Sequence, residues 1–219
     1  MTSKLTKITT AVFALSMLSG VAFAGPEHNH AKGVHKPTTA RVGEAAPDFT
    51  LTDQSGKAHK LSEYKGKTVI LEWTNPRCPF VVRHYKAGTT TGLQKQFGGE
   101  KGEDIVWLRI NSTNADHRDH LTAKETQAWA KEVGVNGPVL DDTNGAVGHL
   151  FGAKTTPHMY VINAKGILTY SGAIDDDPRG KKEKPSNFIQ TILANYQSGK
   201  KVEAFANDSY GCSIKYSKK

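Results

Sequence analysis

The stretch Lys67-Thr68-Val69-Ile70-Leu71-Glu72-Trp73-Thr74-Asn75-Pro76-Arg77-Cys78-Pro79-Phe80-Val81 changes character twice. Lys67 to Trp73 is rich in β-branched and aromatic residues and has the length of a buried strand. Asn75-Pro76 interrupts it, and a helical pattern starts at Cys78 and continues to about Phe97. Pro79 falls at the first helical position, where a missing N–H is harmless. A cysteine at a helix start sits among unpaired N–H groups at the positive end of the helix dipole, which lowers a thiol's pKa. The plainer reading of Cys78 is packing, because free cysteine is among the most buried residue types. Glu72 is the second anomaly. Alternation with Leu71 and Trp73 turns it to one sheet face, under the helix that Cys78 begins. A buried carboxylate needs a partner or a task, and desolvation raises its pKa toward the range useful for proton transfer. At a strand edge facing water it would need neither.

Outward from this stretch, strands and helices alternate. Asp48 to Leu51 and Ala58 to Leu61 read as a hairpin about Gln54-Ser55-Gly56-Lys57, and Leu61 to Tyr64 as one helical turn. Asp104 to Ile110 is a further strand. Thr122-Ala123-Lys124-Glu125 matches a capping box and opens a helix to about Val133. Val139-Leu140 is a short strand and Asn144 to Phe151 a short helix. Met159 to Asn163 and Ile167 to Ser171 form a hairpin, and Thr156-Pro157 just ahead of it suits a rigid, cis turn. Ser186 to Gln197 closes as an amphipathic helix. The expected fold is α/β, with a central mixed sheet flanked by helices and an N-terminal β-hairpin.

Residues 1–24 carry Lys4 and Lys7, an apolar run from Ala11 to Leu18 and Ala22-Phe23-Ala24 before Gly25, the pattern of a cleavable signal peptide. Export is therefore expected, to the periplasm in a Gram-negative host. The apolar run is too short to cross a bilayer, and no later stretch reaches the roughly 20 apolar residues of a helical anchor, so membrane insertion is not expected. Residues 25–40 read as a flexible leader with His28, His30 and His35, residues 41–198 as the folded domain and residues 199–219 as a tail carrying Cys212. The formal charge of +8 comes from scattered lysines rather than a basic patch interleaved with aromatics, and nucleic acid is not an expected partner.

Strand, Glu72, Cys78-Pro79 and a later Thr156-Pro157 together resemble the thioredoxin-like superfamily. The opening Val42-Gly43-Glu44-Ala45-Ala46-Pro47-Asp48-Phe49-Thr50-Leu51-Thr52-Asp53, with Gly56-Lys57 and Leu61-Ser62, resembles its redoxin and peroxiredoxin branch, the alkyl hydroperoxide reductase/thiol-specific antioxidant family. The resemblance covers about Arg41 to Gln197. It implies a thioredoxin-like fold, a redox-active Cys78, a proton-relaying Glu72, and a cis-proline at Pro157 shaping a substrate groove that accepts an extended peptide. There are departures. Val81 stands where thioredoxins place their second cysteine. Asn75 and Leu71 stand where peroxiredoxins place Thr and Pro, and Thr156-Pro157 replaces their active-site Arg. Asn75-Pro76-Arg77-Cys78-Pro79-Phe80-Val81 with Tyr210-Gly211-Cys212 is similar to a less characterised redoxin group.

The expected activity is reduction of a peroxide, or of a protein or small-molecule disulfide, with an external thiol reductant and no cofactor. Cys78 attacks, Glu72 manages the proton, and Cys212, as the only internal candidate, resolves the product. Gly211 gives the tail freedom to fold back, but a free or intermolecular Cys212 stays open. Thr156, Pro157, Arg77 and His158 are the candidate substrate-binding residues, with Arg77 beside the thiol also favouring a thiolate. A solvated loop Arg is the plainer reading. His84 is turned away from Cys78 on the helix. His117 and His120, with Asp116 and Asp119, have ligand chemistry but read as a polar loop, so no metal site is expected. Two other classes remain: a thioredoxin-fold binding or folding-assistance module without turnover, and a metal carrier using Cys78 and the leader histidines.

Overall fold

A computed structural model describes residues 39–98 and 105–217. The signal segment and almost all of the leader expected at residues 25–40, including its three histidines, lie outside them, as do residues 218–219. Strands β1 (Thr50–Asp53) and β2 (Ala58–Lys60) form the N-terminal hairpin, followed by a 3₁₀ turn at Leu61–Tyr64. Then come β3 (Thr68–Trp73), α1 (Pro79–Lys86), α2 (Thr89–Phe97), β4 (Ile105–Asn111) and α3 (Ala123–Glu132). Next are β5 (Val139–Asp141), α4 (Ala146–Phe151), β6 (Thr155–Thr156), β7 (His158–Ile162), β8 (Leu168–Gly172) and α5 (Phe188–Gln197). Two short strands close the chain, β9 (Phe205–Ala206) and β10 (Cys212–Ser213).

The main sheet has the order β2-β1-β5-β4-β3-β7-β8-β9. β4 lies parallel to β3 and to β5, while β7 is antiparallel to β3 and to β8. This is the mixed sheet flanked by helices that the alternation of elements implies. β3 is buried on both faces, and its period-two alternation divides two cores. Val69, Leu71 and Trp73 pack with Phe49, Leu108, Ile110, Phe151 and Tyr160 on one side. Ile70, in contrast, packs with Trp107, Met159, Val161 and the Ile189, Ile192 and Leu193 face of α5 on the other.

Two segments differ from the sequence reading. The single helix expected from Cys78 to Phe97 is broken between α1 and α2 at Gly88, whose φ of 66° is left-handed. Gly88 takes this conformation without a Cβ penalty, and the Thr89-Thr90-Thr91 run that follows has modest helix propensity. The capping box at Thr122 and Glu125 forms as expected. The second difference is the chain after α5, which builds structure of its own. β9 joins the main sheet parallel to β8, and β10 pairs antiparallel with β6. Asn207 accepts from Tyr170 Oη at 2.9 Å and from the Ala173 N–H at 2.8 Å, and the Asn114 N–H bonds the Lys215 carbonyl at 2.9 Å. Farther on, Tyr216 stacks on His149 at 4.1 Å and donates to the Ala153 carbonyl at 2.9 Å.

Candidate redox site

The loop between β3 and α1 is set by Asn75, whose side-chain oxygen accepts from the Arg77 N–H at 2.7 Å while its amide donates to Thr113 Oγ1 at 2.8 Å. The turn delivers Cys78 to the N-cap of α1 with Pro79 behind it. Cys78 is 3 % exposed. In the thiol form Cys78 Sγ donates to the Thr156 carbonyl at 3.0 Å, directly before the cis Thr156–Pro157 bond.

Cys212 closes the other side. The β10–β6 register sets Cys212 opposite Thr156, and its Sγ lies 2.9 Å from Cys78 Sγ, with both thiols free. The two acidities are pushed apart. Burial raises the Cys78 thiol, but hydrogen bonds from the Cys212 and Thr156 side chains and from the Val81 and Cys212 backbones outweigh it, and its pKa falls below the ordinary value. Burial, then the hydrogen bond and charge of Cys78, push Cys212 up to about 11. The two thiols share a proton and titrate as a pair.

The sulfurs open onto a polar cleft of about 360 Å³ whose walls include Thr156, Arg77, His117, Asp119 and Lys215. Arg77 is exposed and donates through Nη1 to the Arg118 carbonyl at 2.7 Å. His158 is not among the residues lining this cleft. It is buried beside Tyr160, accepts from the Lys154 N–H at 3.2 Å and approaches Ser171 Oγ at 3.3 Å. Burial, with Lys154 adding to it, lowers its pKa to about 4, so it stays neutral. His158 thus supports the turn around Pro157 and meets neither sulfur. His84 also points elsewhere, to Tyr210 Oη at 2.9 Å.

Glu72 is 1 % exposed and belongs to the buried interior, not a strand edge. Its carboxylate accepts from Tyr85 Oη at 3.0 Å and from Trp107 Nε1 at 2.7 Å, and Arg109 Nε lies 3.6 Å away. Burial raises its pKa against the opposing pull of Arg109, Trp107 and Tyr85. None of its hydrogen bonds reaches a sulfur, but the ring of Tyr85 packs in the same apolar cluster as Cys78 and Val81. Arg109 was missed by reading β4 only as an apolar strand. Its signal was a lone cation in that run, which parallel pairing sets directly opposite Glu72.

The chain is similar in sequence and in fold to known proteins. A thiol-disulfide oxidoreductase ResA from Geobacillus thermodenitrificans is 26% identical over 131 residues, 59% of this chain and 67% of that protein. A chloroplastic peroxiredoxin Q from Populus jackii is 28% identical over 176 residues, 70% of this chain and 75% of that protein. The crystal structure of a hypothetical protein from Sinorhizobium meliloti superposes with a TM-score of 0.70 at 27% identity, covering 82% of this chain and 97% of that one. Among the described residues no helix is long and apolar enough to cross a membrane. The AhpC/TSA family model matches residues 42–171, and the chain belongs to the AhpC/TSA family.

Proposed function

We propose that the protein is an exported thiol-dependent oxidoreductase in which Cys78 is the attacking nucleophile and Cys212 the resolving thiol. The observation that supports it is the 2.9 Å approach of two free sulfurs whose acidities are pushed in opposite directions. With a disulfide substrate, the Cys78 thiolate attacks one sulfur, the substrate S–S bond breaks, and a mixed disulfide forms as the first substrate thiol leaves. Cys212 then attacks Cys78 Sγ, and the second substrate thiol leaves with a proton. Two electrons pass from the cysteines to the substrate. With a hydroperoxide, the Cys78 thiolate attacks the outer oxygen, the O–O bond breaks as an alcohol or water leaves, and the resulting sulfenic acid condenses with Cys212, expelling water. An external thiol reductant restores both thiols.

The remaining residues have supporting parts in this reading. The Thr156 carbonyl, which Pro157 follows directly, orients the Cys78 sulfur, and Arg77 offers positive charge at the cleft mouth to polar substrate groups. Glu72, its pKa raised by burial, is the proton-managing acid of this reading and lies beneath α1, joined to Cys78 by the packing of the Tyr85 ring and not by a hydrogen bond. Export rests on residues 1–24 and predicts a secreted chain beginning at Gly25.

The test is turnover by the purified protein with hydrogen peroxide and with a small disulfide, supplied with dithiothreitol, for the unsubstituted protein and Cys78→Ser. Loss of turnover in Cys78→Ser is the expected result. Turnover absent from both, with ligand binding retained, would favour the binding-module reading instead.

A further inference from the structure

Resting on that redox reading, we infer that Tyr210 and Gly211 are positioning residues that together hold the Cys212 sulfur on Cys78. The two residues fasten the chain to the two elements that meet at the site. Gly211 has a φ of 135°, and a Cβ there would press into the Thr156 carbonyl group, 2.7 Å from its carbon and closer still to its oxygen. Those are backbone atoms ahead of Pro157 and cannot turn aside. Only glycine lets the chain lie flush on β6, and this close approach sets Cys212 opposite Thr156, the residue whose carbonyl also accepts from Cys78.

Tyr210 fixes the same segment to α1, the helix that Cys78 caps. Its ring lies 6.0 Å from that of Phe80 and 6.2 Å from that of His84, with the Arg83 guanidinium 5.8 Å from its centroid. Its hydroxyl donates to Asp175 Oδ1 and accepts from Arg83 Nη2 at 3.3 Å and, in the Nε2–H tautomer, from His84 at 2.9 Å. Asp175 and His84 are both buried. Phe80, Arg83 and His84 all belong to α1, so the helix that carries the nucleophile at its N-cap also grips the residue two positions before the resolving thiol. Slipping β10 by one residue along β6 would turn Cys212 to the opposite face. Tyr210 and Gly211 block that slip from two sides.

The test equilibrates the full protein with reduced and oxidised glutathione, quenches with acid and separates three species by mass: both thiols free, Cys78 joined to glutathione, and the Cys78–Cys212 bridge. Forming the bridge passes two electrons from the cysteines to glutathione disulfide, and the two thiol protons appear on two glutathione molecules. The ratio of bridge to mixed disulfide reports how well Cys212 is placed, and a residue that only adds stability would leave it unmoved. Tyr210→Phe keeps the ring but loses the hydroxyl, and should lower the ratio about tenfold. Gly211→Ala should lower it at least as much. Thermal unfolding of the reduced proteins is measured alongside. Ratios equal to that of the unsubstituted protein in both variants, with or without a fall in stability, would overturn the positioning role. Failure of the unsubstituted protein to form any bridge, with glutathione accumulating on Cys78, would overturn the redox pairing itself and the positioning role with it.

Discussion

Glu72 and Arg109 sit directly opposite one another in the parallel register of β3 and β4, both almost wholly buried, with the Tyr85 hydroxyl between them. Tyr85 donates to Glu72 and accepts from Arg109 Nε at 2.6 Å, and Arg109 Nη2 donates to Gln94 at 2.9 Å. This polar group lies in an apolar layer beneath α1. Replacing such a network with apolar residues is often tolerated, whereas removing one charge strands the other.

The folded-state pKa of Glu72 is raised above 4.5, chiefly by burial. Folding therefore favours the protonated acid. Stability from this group is fully present below the unfolded value and is lost as pH rises through the higher folded value. Glu72→Gln should remove that pH-dependent loss, which urea unfolding across a pH series would show as a flatter profile above about pH 4.5. Arg109→Leu alone leaves the carboxyl without its cation and should destabilise the protein by about 3–5 kcal/mol at pH 7.

Asp53 provides the opposite sign. Burial raises its carboxyl, but hydrogen bonds from Ser55 and His59 and from the Ser55 and Lys57 N–H groups hold it at about 2, against an ordinary 3.8. The stability it confers is present above the unfolded value and is lost as pH falls through the folded one. Asp53→Asn should flatten the acid limb of the stability curve between about pH 4 and 2, read by thermal unfolding.

Cys78 should alkylate with a midpoint below pH 9, because its folded pKa is lowered. Cys212→Ala removes the first of the hydrogen bonds that lower it, and the midpoint should move upward. Iodoacetamide rates measured from pH 5 to 10 on the reduced proteins would show the shift. An unchanged midpoint would mean that Cys212 has no hold on the Cys78 proton.

The far end of the tail is seated over α4. A Cβ on Gly148 would lie 2.8 Å from Tyr216 Cε1 and 2.9 Å from Ser112 Oγ, so Gly148→Val should expel Tyr216 from its place on His149. Overpacking of this kind destabilises by about 1–3 kcal/mol. Limited proteolysis should then cleave after Lys215 faster than in the unsubstituted chain.

Much of the architecture was legible because β3, β4, α3 and α5 carry strong local signals. The apolar run around Glu72, the capping box at Thr122 and Glu125, and the one-sided face of α5 each report their own structure. Cys78 could be set at a helix N-cap from Pro79 alone, and Glu72 stood out as a charge in a buried strand. The break at Gly88 was hidden because Leu93 and Phe97 keep helical spacing beyond it. β6, β9 and β10 are two residues each, too short for any periodicity, and exist only through their pairing partners. The proximity of Cys212 to Cys78 depends on that pairing, so the sequence could nominate the resolving thiol but not seat it. His158 was drawn toward the site by its position next to Pro157. Strand alternation turns it instead toward Tyr160 and Ser171.

On the proposed reading, Cys78 and Cys212 act as one redox pair. The most direct measurement is an intact mass and peptide map of the protein after brief treatment with hydrogen peroxide and alkylation without reductant. Peroxide should remove two hydrogens, leave no thiol to alkylate and yield a linked peptide pair containing Cys78 and Cys212. Two alkylated thiols, or Cys78 carried on to sulfinic acid with Cys212 alkylated, would contradict it.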